Sequence, residues 1–151
     1  MRQQPFSASL LALALAATFS AGASAADLKI GVAEALSGGA AQYGVSIRNG
    51  FQLAAEEINA AGGINGDKLQ LLIEDEQGKK EEAINVFKKL IFQDKVLMLF
   101  GPTLSNSAQA ANPIAQASKT VVFGTSNTAD GITSIGDYAF SGCTDLRSAN
   151  P

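Results

Sequence analysis

The chain has 151 residues, 46% of them hydrophobic and 17% charged, with a net charge of −3, which suits one soluble α/β domain or part of a larger protein with enough apolar material for a core. So small a negative charge, with no long basic run, leaves no electrostatic footprint for nucleic acid or an anionic membrane. There is no histidine and a single cysteine, so the commonest general base, a thiolate metal cluster and an internal disulfide are excluded.

Arg2 opens a short positive region, LLALALAATF is an apolar run too short to span a membrane comfortably, and Ala23-Ser24-Ala25 is an A-x-A cleavage site. Residues 1–25 therefore read as a signal peptide, with Ala26 as the mature start and no stable membrane insertion after cleavage. No cysteine stands at the cleavage point. The expectation is a free periplasmic protein rather than a lipoprotein.

The mature chain alternates between two periodicities. LKIGVA (28–33) is a short strand, and from Ser46 to Ala61 the residues Ile47, Phe51, Ala54, Ala55 and Ile58 fall at helical spacing. Gly62-Gly63 ends that helix, Asn65-Gly66 makes a tight turn, and Leu69, Leu71 and Ile73 alternate as a second strand. Helical spacing returns at Ala83, Val86, Phe87, Leu90 and Ile91; VLMLFG is a third strand, SAQAANPIAQAS a third helix and TVVFG a fourth strand. This order predicts an α/β fold: an open, doubly wound parallel sheet with helices on both faces.

In such sheets ligands gather where the strands end and loops lead into helices. Three of those loops, LSGGAAQYG, GPTLSNS and GTSNTADG, are rich in small polar residues. Gly and Ser admit a ligand close to the backbone, and the free N–H groups of a helix start favour a carboxylate. Ser105 stands where the third helix begins, so its hydroxyl can cap that helix, bind a ligand oxygen, or both. Gly38-Gly39 suits a tight turn and matches no phosphate-cradling signature. Glu74, Asp75 and Glu76, and the run Lys79 to Glu82, read most simply as solvated faces, with Asp75 placed to order the adjoining loop. No cofactor motif and no metal-ligand spacing occurs.

Taken in order, LSGGAAQYG, EEINAAGGINGDKL, LLIEDEQ, GPTLSNSAQAANPIA and TSNTADGIT resemble the N-terminal lobe of the periplasmic branched-chain amino-acid-binding proteins, the solute receptors of one class of ABC importer. The resemblance implies a type I periplasmic binding fold, with residues 26–140 as a partial N-terminal ligand-binding lobe. It implies that Ser105 and the backbone near Thr103 meet a ligand carboxylate, that Ser126 and Thr128 meet its ammonium, and that Tyr43 packs at the cleft mouth. Residue by residue, plainer roles stand beside these: an N-cap for Ser105, a turn for Thr128 beside Asn127, ordinary packing for Tyr43. The implied partners are a small solute, most simply a branched-chain or other amino acid, and a permease in the inner membrane; no reaction is implied.

Residues 141–151 depart from the family pattern after the short strand Tyr138-Ala139-Phe140, at the expected crossover to a second lobe, and Cys143 is an odd thiol. A truncated fragment of such a receptor is therefore an alternative reading, as is a ligand-sensing regulator of the same fold. The export signal counts against the regulator. An enzyme on a doubly wound sheet would need an acid, base or nucleophile constellation that these loops lack.

Overall fold

The computed structural model describes residues 27–129 and Ile132. The expected signal peptide, the strand expected at Tyr138 to Phe140, Cys143 and the tail lie outside the described residues. Four strands, β1 (Asp27–Glu34), β2 (Lys68–Asp75), β3 (Met98–Phe100) and β4 (Val121–Phe123), alternate with three helices, α1 (Ala41–Ala60), α2 (Lys80–Lys88) and α3 (Ser105–Ser118). A π-helical turn, Lys89–Gln93, extends α2. All strand pairs are parallel, in the order β2-β1-β3-β4. The expected βαβ alternation is what the chain builds.

Central placement explains the composition of β1. It pairs with β2 along its whole length and with β3 at Ile30 to Val32, and from Ile30 to Glu34 every residue is buried. A strand covered on both faces reads as a continuous apolar run rather than an alternating one. On one face, Ala33 and Leu99 pack with Val86, Phe87, Leu90 and Ile91 of the α2 segment and with Ala111 and Ala115 of α3, with Leu72 and Val122 at the margin. Gly31 belongs to this face, since a Cβ there would come within 2.5 Å of Leu99 Cδ2.

The opposite face is covered, among the described residues, by α1. Phe51 lies against Phe100 at a centroid distance of 4.5 Å, and Phe100 stacks on Phe123 at 5.4 Å. A groove of about 460 Å³ opens there between Ile47 and Phe51 of α1 and the two strand phenylalanines. At this margin Val121 and Phe123 remain about half exposed.

Helix α1 begins at Ala41, five residues before the apolar period suggested, and the reason is Gly44. That residue is buried, and a Cβ there would lie 2.1 Å from the carbonyl oxygen of Ala35. The first turn packs through bare backbone, which leaves no apolar side chain to mark it. The turn signals held: Gly63 N–H returns to Ile58 O at 2.9 Å after α1, and Asn65 and Gly66 both take positive φ between Ile64 and Asp67, the geometry of a two-residue hairpin turn.

Candidate functional site

The carboxyl ends of the four strands bring the three polar loops together, and side chains tie them. Asp75, last residue of β2, organises the loop after β1. Its Oδ1 accepts from the backbone N–H groups of Leu36, Ser37 and Gln77 at 2.8, 3.2 and 2.8 Å, and its Oδ2 accepts from the Ser37 hydroxyl at 2.6 Å. Burial pushes this carboxyl up, but the donors on it outweigh burial and hold it below the ordinary carboxylate range.

The reading of Glu74, Asp75 and Glu76 as a solvated face is corrected. Glu74 pairs with Lys89 on the α2 side, Asp75 turns into the loop, and Glu76 is fully buried. Each successive residue leaves the strand in a different direction, so a charge run in sequence is not a charged face in space. Glu34, at the end of β1, is fully buried too, and no sequence signal singled it out.

Thr103 stands at the junction. Its hydroxyl donates to Glu34 Oε2 and accepts the N–H of Ala35 at 2.9 Å, both contacts buried. Its carbonyl accepts from the Ser126 hydroxyl at 2.5 Å and from Asn127 Nδ2 at 3.3 Å, and that amide also reaches Pro102 O at 2.9 Å. Ser105 Oγ accepts from the backbone N–H groups of Thr128 and Ala129 at 3.1 and 3.2 Å. Thus Thr103, Ser105, Ser126 and Thr128 converge, while Tyr43, on α1, is 56% exposed and joins none of these contacts.

Ser105 does not cap α3. Leu104 occupies the N-cap position and makes no side-chain cap; Ser105 is the first helical residue and its oxygen is turned toward the β4 loop, while Asn106 Oδ1 accepts the N–H of Ser107 at 2.8 Å. The short Ser105 side chain serves the neighbouring loop rather than its own helix. The N–H groups of Ser105 and Asn106 are therefore left as the open donors of the first turn, a geometry that attracts anions. Among the described residues no group of three or more His, Cys, Asp or Glu could hold a metal ion, and no helix is long and apolar enough to cross a membrane.

The buried carboxyls have the opposite electrostatic problem to Asp75. Burial pushes both above the ordinary range; at Glu34 the hydroxyls of Thr103 and Thr125 offset this in part, and at Glu76 the Ser107 hydroxyl and the Thr103 N–H offset it while the nearby charges of Glu34 and Asp75 add to it. Their raised values stabilise the fold fully below the ordinary glutamate range, and that stability is lost as pH rises through the raised values. Asp75 works the other way: its contribution is present above the ordinary aspartate range and lost as pH falls through its lowered value. Stability should therefore decline on both sides. Glu76→Gln should raise the thermal midpoint at alkaline pH and flatten that limb only, whereas Asp75→Asn should flatten the acid limb. A midpoint that responds to neither substitution would refute this assignment.

Comparison with known proteins gives a consistent picture. Residues 27–144 match the family model described as periplasmic binding protein. The chain is 36% identical over 115 residues to an amino acid binding protein of Pseudomonas aeruginosa, covering 76% of this chain and 31% of that protein. It is 39% identical over 105 residues to the Leu/Ile/Val-binding protein of Escherichia coli K12, covering 70% and 28%. Among solved structures, the branched-chain amino acid transporter substrate-binding protein LivJ of Streptococcus pneumoniae, in complex with isoleucine, superposes with a TM-score of 0.71 at 38% identity, over 74% of this chain and 32% of that one. The chain spans about a third of the length of these relatives, so the expected type I fold is borne out over a portion of its extent. With its parallel sheet and these relatives, the chain belongs to the periplasmic binding protein family, whose members bind solutes.

Proposed function

We propose that this chain supplies part of the solute site of an extracytoplasmic receptor for an ABC importer, and that its solute is an amino acid, most simply one with a branched aliphatic side chain. The observation that carries this reading is the uncapped start of α3, set beside Ser105 and the β4 loop. Free N–H groups there would receive the ligand carboxylate. The Ser105 hydroxyl would join them at the carboxylate, and the hydroxyls of Ser126 and Thr128 offer acceptors for the ammonium. Tyr43, exposed on the first turn of α1, stands at the entrance. The names of the relatives point to the same ligand class. Binding rather than reaction is the role, and closure upon the solute would present the receptor to an inner-membrane permease by population shift.

Residues 1–25 act in this proposal as an export signal, residues 26–140 as the binding lobe, and residues 141–151 as a tail toward a second lobe. Mass spectrometry of the exported protein should find Ala26 at the amino terminus. A periplasmic form that retains residues 1–25 would reject that boundary.

Binding is tested by NMR titration of the full chain with L-leucine, L-isoleucine and L-valine. Ser105→Ala and Thr128→Ala should each weaken binding by about 1.5–3 kcal/mol, the loss expected for a hydrogen bond to a charged group. The amides of Ser105 to Ser107 should move on titration. Wild-type affinity in both variants would assign these hydroxyls to loop structure alone. No response to any amino acid would sink the ligand class.

A further inference from the structure

Glu34 and Glu76 lie beneath the candidate loops, and solute binding as proposed uses neither. Both side chains are fully buried, and Glu34 Oε1 and both Glu76 oxygens close no hydrogen bond, although the Thr125 hydroxyl stands near Glu34 and the Ser107 hydroxyl and Thr103 N–H stand near Glu76 and partly offset the cost of burial. The backbone joins the two residues as well, Glu76 N–H donating to Glu34 O at 2.9 Å. No described cation answers them. Lys89 is taken by Glu74 and Lys79 Nζ by Gln77. Asp75 on β2 is a third anion, and β3, α3, β4 and the stretches 101–104 and 124–129 contain no charged residue. Burial without a counter-ion favours the protonated form of the pair.

We propose that Glu34 is a positioning residue for the candidate site: acting through Thr103, with Glu76 as a second buried carboxyl beside it, it sets the β4 loop against the first turn of α3. Thr103 is the relay because all of its polar groups on the path are engaged. Its hydroxyl is held between Glu34 and the Ala35 N–H, while its carbonyl receives Ser126 and Asn127. Ser105 then receives Thr128 and Ala129 two residues further along each loop. When both carboxyls are ionised, two buried anions repel with no cation to compensate. The displacement is passed to Thr103 and from there to Ser126 through Ala129. The inference rests on reading these loops as the solute site, and it predicts that affinity falls as pH rises.

The test uses the ¹⁵N-labelled full chain. Without ligand, the amides of Ser126 to Ala129 and of Ser105 to Ser107 are followed between about pH 5 and about pH 8, the range in which native stability usually peaks. They should move together, with a common midpoint. Glu34→Gln, which keeps an acceptor for Thr103 but cannot lose a proton, should abolish that movement. Thr103→Val should shift the same amides at every pH and weaken binding of L-isoleucine about tenfold, equivalent to about 1.4 kcal/mol. Loop amides that ignore pH in the wild type overturn the proposal, as does Thr103→Val with unmoved loop amides. Should Glu34→Gln fail to fold, the wild-type titration decides alone. Absence of any isoleucine response in the wild type would reject the solute reading, while the ligand-free titration still decides the positioning role.

Discussion

Gly101→Ala should destabilise the chain by on the order of 3 kcal/mol or more, combining backbone strain with overpacking. Gly101 leaves β3 at φ 110°, a conformation L side chains rarely adopt. A Cβ there would lie 2.0 Å from the carbonyl oxygen of Ala33, which is backbone of the central strand and has no room to retreat. The Gly101 N–H also donates to Phe123 O at 2.8 Å, so a shifted backbone would loosen β4 and carry the Thr103 relay with it. Denaturant unfolding measures the loss. Gly50→Ala is the control: Gly50 lies within α1, where an added Cβ meets nothing within 4 Å, and the change should stabilise by a few tenths to about 1 kcal/mol. Equal responses at the two glycines would contradict the argument.

Phe87→Ala should cost about 3–5 kcal/mol, the range for deleting a fully buried aromatic side chain. Phe87 is wholly excluded from solvent in the cluster that joins α2, α3 and the sheet. Its removal leaves a cavity under the helix whose first turn forms the candidate anion site. Phe92, five residues on and 58% exposed, provides the comparison, since surface changes usually stay within about 0.5 kcal/mol. Unfolding curves for the two variants, with unchanged slopes, would establish the difference. A Phe87→Ala chain as stable as Phe92→Ala would show that the α2–α3 side is not the core.

How much of this was written in the residues depends on what kind of signal each feature leaves. Strands and helices announced themselves through period, and the turns at Gly62 to Gly66 through residues that tolerate positive φ. The start of α1 did not, because Gly44 packs with no side chain. The start of α3 was displaced for a different reason: Ser105 to Ser107 look like a polar loop, yet they form the first helical turn, with Ser105 turned to the β4 loop and Asn106 to the N–H of Ser107. The convergence of Thr103, Ser105, Ser126 and Thr128 was reached through likeness to a family, since spacing alone cannot say which loops meet. The buried carboxyls were hidden altogether. A glutamate reads as exposed in sequence because burial normally requires a partner, and here the partners are a threonine and a second glutamate brought together only by the sheet.

The strand order has a consequence for how solute preference can change. β1 is flanked early by β2, and both later strands are added on the β3 side, so the last loop described, from Gly124 to Ala129, sits on a platform made by the preceding chain. Side chains of Ser126 and Asn127 tie it to that platform. The remaining positions can be exchanged without entering the cluster around Phe87 and Leu99. A receptor lineage built this way can explore new ligands at its growing edge while its core stays untouched, and Thr128 and Ala129 are where directed evolution of a new solute preference should begin.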